Sequence, residues 1–62
     1  LKKILVIDDE PAIRDLMELV LRRDNYQVKT AENGAAGLKE VYTFQPDLVL
    51  LDLMLPDYCN ND

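Results

Sequence analysis

The sequence predicts an α/β fold built as a parallel βαβαβ unit, and three observations carry that expectation. Residues 4–7 (Ile-Leu-Val-Ile) and 48–51 (Leu-Val-Leu-Leu) are apolar at every position, which suits strands covered on both faces rather than strands wetted on one. Each run ends directly in aspartate, at Asp8 and at Asp52. Between them lie two stretches with helical apolar spacing, separated by a short alternating segment. Right-handed crossovers would lay such strands side by side, with the helices on the faces of the sheet.

The first strand gives way to Asp8-Asp9-Glu10-Pro11. Pro11 suits the first position of a helix, where its missing N–H would have had no partner. From there Ile13, Leu16, Met17 and Val20 recur at helical spacing, and Arg14 with Glu18 and Glu18 with Arg22 are four apart, predicting paired charges on the wetter side. Asp24-Asn25 ends this helix. Residues 26–31 read as a more polar edge strand, with Tyr26, Val28 and Thr30 alternating against Gln27 and Lys29. Asn33 is placed to cap a second helix, whose apolar stripe is expected at Leu38, Val41 and Tyr42, with Gly34 and Gly37 weakening its first turn. Gln45-Pro46-Asp47 breaks that helix before the second apolar strand, predicted to be buried on both faces. Residues 53–62 show no periodic pattern and are expected to form an irregular tail.

A chain of 62 residues makes at most one domain, burying only ~60% of the surface its unfolded form exposes. With 48% apolar and 31% charged residues it has a globular composition. A net charge of -5 argues against direct nucleic-acid binding by this segment, which would need a basic patch to displace counterions. Both apolar runs fall far short of the roughly 20 residues of a membrane-spanning helix, so no membrane segment is expected, nor a signal peptide. Cys59 is the single cysteine and there is no histidine. A disulfide within the chain is excluded, and a reduced, cytoplasmic setting is expected.

Ligands of open parallel sheets collect beyond the carboxyl ends of the strands, where Asp8, Asp9 and Asp52 all fall. Acidic residues after strands also serve as turn and cap formers, so any one of them proves little. Three together are another matter, because two carboxylates about 4 Å apart repel by roughly 4 kcal/mol at an effective dielectric of 20. A bound cation relieves that repulsion. Magnesium takes one or two carboxylates, keeps several waters and leaves room for phosphate oxygens, a site suited to phosphoryl transfer. A carboxylate can itself attack phosphorus, and Asp52, alone at its strand end, is the natural nucleophile.

These residues resemble the receiver domains of bacterial two-component response regulators. Lys3-Ile4-Leu5-Val6-Ile7-Asp8-Asp9-Glu10-Pro11 is similar to that family's first strand and acidic pair, Ala31-Glu32-Asn33-Gly34 to the junction into its second helix, and Pro46-Asp47-Leu48-Val49-Leu50-Leu51-Asp52-Leu53-Met54-Leu55-Pro56 to its phosphorylation strand and following loop. The resemblance implies that Asp52 accepts a phosphoryl group from a sensor histidine kinase or phosphotransfer protein. It also implies that Asp9 and Asp52 ligate Mg2+, with Asp8 acting largely through water and Met54 adding its backbone carbonyl. Glu10 could tune the charge of the pocket, although an exposed acid at a helix start explains it as well.

The family's flavodoxin-like, doubly wound sheet has five strands in the order 2-1-3-4-5, and this chain supplies the first three, order 2-1-3. Residues 1–62 thus read as an incomplete receiver domain. The hydroxyl residue after the fourth strand and the lysine after the fifth are not supplied, and Asp57-Tyr58-Cys59-Asn60-Asn61-Asp62 departs from the family's loop pattern. A third strand without a neighbour would expose an apolar edge. The expectation is therefore a fragment of a longer receiver, or a chain that pairs along that edge with its missing C-terminal half or a second copy. The competing reading is a half-domain that binds metal or a partner chain without efficient phosphotransfer. An aspartate-nucleophile phosphatase ranks last, because Met54 stands where that class needs a second aspartate, two residues after the nucleophile.

Overall fold

The computed structural model describes residues 2–52. Its elements are β1 (Lys3–Asp8), α1 (Pro11–Arg23), β2 (Gln27–Ala31), α2 (Gly34–Phe44) and β3 (Leu48–Asp52). The strands form one parallel sheet in the order β2-β1-β3, as the apolar runs and crossover geometry predict. The expected tail at 53–62 lies outside the described residues.

β1 is the central strand, and Leu5 and Val6 are wholly buried. Its side chains alternate between faces, as the two-residue period of a strand requires. Ile4 and Val6 join Val28, Met17, Leu21 and Leu50 under α1, while Leu5 and Ile7 join Ala31, Ala36 and Val41 under α2. One helix therefore covers each face.

α1 starts at Pro11 as expected and ends in a hydrogen-bonded reversal. Asn25 takes a left-handed φ of 69°, its N–H donates to the Arg22 carbonyl at 3.0 Å, and the Tyr26 N–H donates to the Leu21 carbonyl at 3.2 Å. This is the double bond of a Schellman motif, with asparagine in the position usually taken by glycine. It commits the Tyr26 N–H to the helix end, so β2 begins at Gln27 rather than Tyr26.

Both helices present a narrower face to the sheet than their apolar spacing suggests. In α1 the contact is made by Met17 and Leu21, and Ile13, Leu16 and Val20 are exposed. In α2 it is made by Ala36 and Val41 with buried Gly37, while Leu38 is exposed and Tyr42 is 74% exposed. Three strands offer each helix one short strip of contact, and apolar residues to either side of that strip remain in solvent.

Gly37 is required by close approach rather than being a weakness. A Cβ at this position would collide with the Ile7 side chain, so only glycine lets α2 settle this near β1. The Asn33 cap forms as expected, its Oδ1 accepting from the Ala36 N–H at 2.8 Å. Of the two charge pairs expected on α1, Glu18–Arg22 forms at 3.0 Å. Arg14 turns instead to the Asp8 main-chain carbonyl, at 2.8 Å.

The expectation that β3 is buried on both faces is corrected. Four of its five residues are exposed, Leu51 at 64%, and only Leu50 reaches the core. Both helices pack over β1 and β2 and neither over β3 among the described residues, which accounts for the exposure of its side chains; its side away from β1 pairs with no strand among the described residues, the bare edge foreseen for a third strand without a neighbour.

Candidate functional site

Asp8 and Asp52 close their strands at the same end of the sheet and are partners in the β1–β3 register. Two wholly apolar strands running in parallel bring them there. Asp8 is 2% exposed, whereas Asp52 and Asp9 are exposed. One carboxylate of the three is thus buried and two are accessible to solvent.

Asp8 is held at two of its three oxygens. Its main-chain carbonyl accepts from Arg14 Nη1 at 2.8 Å. Its Oδ1 accepts from the Glu10 N–H at 2.9 Å, tying the carboxylate across the start of α1. Its Oδ2 is buried without a hydrogen-bond partner. An ionised carboxylate oxygen can only accept, so this orphan fits a cation, or a water bound to one, as its missing partner. Arg14 spends its charge on a main-chain carbonyl and pairs with no carboxylate among the described residues.

Among the described residues, no group of three or more Asp, Glu, His or Cys side chains lies close enough together to hold a metal ion. The Asp8–Asp52 register is present, but the three carboxylates do not close into a finished ligand group. Met54 and Cys59 lie outside the described residues. Glu10 is exposed at the entry to α1, and its N–H rather than its carboxylate takes part in the site.

Three contributors have roles that the local sequence does not signal. Arg14 reads as one half of a surface ion pair, and nothing in its spacing points to the Asp8 carbonyl six residues back. Gly37 reads as a helix weakener. Asp47 reads as a helix breaker, yet it bonds the start of β1 with both its N–H and its carboxylate.

The model of the response regulator receiver domain matches residues 4–60. The chain belongs to this family. It is 51% identical over 55 residues, 89% of its length, to the alkaline phosphatase synthesis transcriptional regulatory protein PhoP of Bacillus subtilis. It is 48% identical over 54 residues both to the DNA-binding dual master transcriptional regulator RpaA of Synechocystis and to the transcriptional regulatory protein ResD of Bacillus subtilis. The chain spans 23% of the first relative and 22% of the other two, so these proteins are some four times longer. The three parallel strands in order β2-β1-β3 are those of a partial flavodoxin-like receiver fold, and membership makes the chain a two-component signalling module. No helix among the described residues is long and apolar enough to cross a membrane.

Proposed function

We propose that this receiver is the phospho-acceptor of a two-component relay and that Asp52 is the residue phosphorylated. The observation that carries the reading is the pairing of exposed Asp52 with buried Asp8 at the carboxyl ends of adjacent strands, in a chain that belongs to the receiver family. An Asp52 carboxylate oxygen attacks the phosphorus of a phosphohistidine on a sensor histidine kinase or phosphotransfer protein. The P–O bond forms as the P–N bond breaks, and the imidazole leaves with the electron pair and takes up a proton. Exposure lets Asp52 meet a macromolecular donor, and a cytoplasmic setting for the reaction is part of the same proposal.

Asp9 and Asp52 would hold Mg2+ directly, Asp8 through water, and Met54 by its backbone carbonyl. Bound there, the cation neutralises charge developing on the phosphoryl oxygens. The orphaned Asp8 Oδ2 supports this assignment. The protein's own part is to fix the acidic loop, through Arg14 on the Asp8 carbonyl and Asp8 Oδ1 on the Glu10 N–H, and to present Asp52 on a strand end. The role is that of a phosphoryl acceptor, not of an enzyme. Incubation with acetyl phosphate and Mg2+ tests it: intact mass should rise by one phosphoryl group, mapped to Asp52.

The exposed β3 favours a second reading, a half-domain that binds Mg2+ or pairs along β3 with further receiver sequence or a second copy, without efficient phosphotransfer. Mg2+ binding in the absence of any mass gain would select it.

A further inference from the structure

Residues 4–7 of β1 and 48–51 of β3 are apolar throughout. A strand pair acquires its register from its pattern of apolar and polar faces or from the turn that joins it. Here neither source is available. Sliding one apolar run past the other by a residue trades one aliphatic side chain for another, and the strands are joined through β2 and both helices rather than a tight turn. Yet the register decides what stands opposite Asp8, since one residue of slip displaces Asp52 by about 3.3 Å along the strand.

We propose that Asp47 is the register clamp of the β1–β3 pair and hence a positioning residue for Asp52. Asp47 stands one residue before the first paired residues, Ile4 and Leu48. Its N–H donates to the Lys3 carbonyl at 2.7 Å, and its Oδ2 accepts from the Lys3 N–H at 2.8 Å. Both main-chain groups of one residue are thereby taken by a single partner. A slipped register cannot satisfy the pair, because the carboxylate and the N–H of Asp47 would face different residues. The Lys3 side chain adds to the clamp, its Nζ donating to the Phe44 carbonyl at 3.3 Å and lying 5.5 Å from the centre of the Phe44 ring. This ties the end of α2 to the same point. The clamp sits at the amino end of the strands and the acidic site at the carboxyl end, with the rigid length of two strands between them.

The functional half of this inference rests on Asp52 being the phospho-acceptor; the structural half does not. The test uses the full-length protein isotopically labelled for NMR, with Asp47→Ala, Asp47→Asn and Lys3→Pro. Asparagine keeps the oxygen acceptor, and proline, tolerated at the first residue of a strand, removes the Lys3 N–H that donates to Asp47 together with the side-chain tie to Phe44. In Asp47→Ala, and in Lys3→Pro should Asp47→Ala not fold, the cross-strand contacts between Ile7 and Leu51 are expected to split into more than one set. Labelling of Asp52 by acetyl phosphate, per folded molecule, is expected to fall about tenfold or more, the scale of loss that misplacement by ångströms brings. Asp47→Asn should retain a single set of contacts and wild-type labelling. Wild-type contacts in the folded donor- or acceptor-deleted variant, or damage in Asp47→Asn equal to that in Asp47→Ala, would overturn the clamp. If the wild-type protein is not labelled at all, the phospho-acceptor reading fails, and the contact pattern still decides for or against the clamp.

Discussion

Asp8 and Asp52 are register partners across β1 and β3, yet one is buried and the other exposed. The asymmetry divides their labour. The buried carboxylate is pinned by the Glu10 N–H and cannot reach a macromolecular donor, whereas the exposed one can.

Asp52→Asn should abolish labelling by acetyl phosphate with little effect on stability, because an exposed strand-end side chain that makes no hydrogen bond among the described residues contributes within about 0.5 kcal/mol. Intact mass and urea unfolding of the same preparation check both halves. Residual labelling at wild-type rate would move the acceptor to another residue.

At Asp8 the outcomes for binding and stability should diverge. Burying an ionised carboxylate costs more than burying a neutral amide, so Asp8→Asn, which keeps the oxygen that caps Glu10 but removes the charge, should leave the cation-free protein as stable or more stable by about 1 kcal/mol. Mg2+ affinity should drop about tenfold or more, as expected for a group acting through a metal-bound water. Unchanged affinity in a Mg2+ titration followed by NMR would remove Asp8 from the site.

Gly37→Ala should destabilise by about 1–3 kcal/mol through overpacking, since its Cβ would meet the Ile7 side chain. Ile7→Val, which trims the colliding branch, should recover part of that loss in a double-mutant cycle. Strictly additive losses would mean that the two residues do not meet.

Asn33→Ala removes the acceptor of the Ala36 N–H and should cost about 1 kcal/mol, with Asn33→Asp close to wild type. Denaturant midpoints at constant slope are the readout. Equal destabilisation by both substitutions would show that the cap is not what Asn33 contributes.

The order of the elements, the central and edge character of β1 and β2, the Pro11 helix start, the Asn33 cap and the carboxyl-end placement of Asp8 and Asp52 were all legible in the chain. Each follows from local chemistry: apolar runs, turn formers and cap residues act over a few neighbours. The sequence by itself also determined the family, because its acidic pair, helix junction and phosphorylation strand occur in order.

Only the tertiary structure decided the rest, and in each case the reason is the identity of a distant partner. Leu38 and Tyr42 fit a helical stripe, but a three-stranded sheet is too narrow to cover them. Arg14 stands four residues before Glu18, but the Asp8 carbonyl competes for it. Gly37 weakens an isolated helix, yet it leaves the room that the Ile7 side chain takes up against it. β3 has the composition of a buried strand, yet burial belongs to neighbours and not to composition. Asp47 lies 44 residues from Lys3, and no periodicity reaches that far. The identity of the two strands that end in aspartate is written in the sequence; their alignment, and so what faces Asp52, is set by contacts that exist only once the chain has folded.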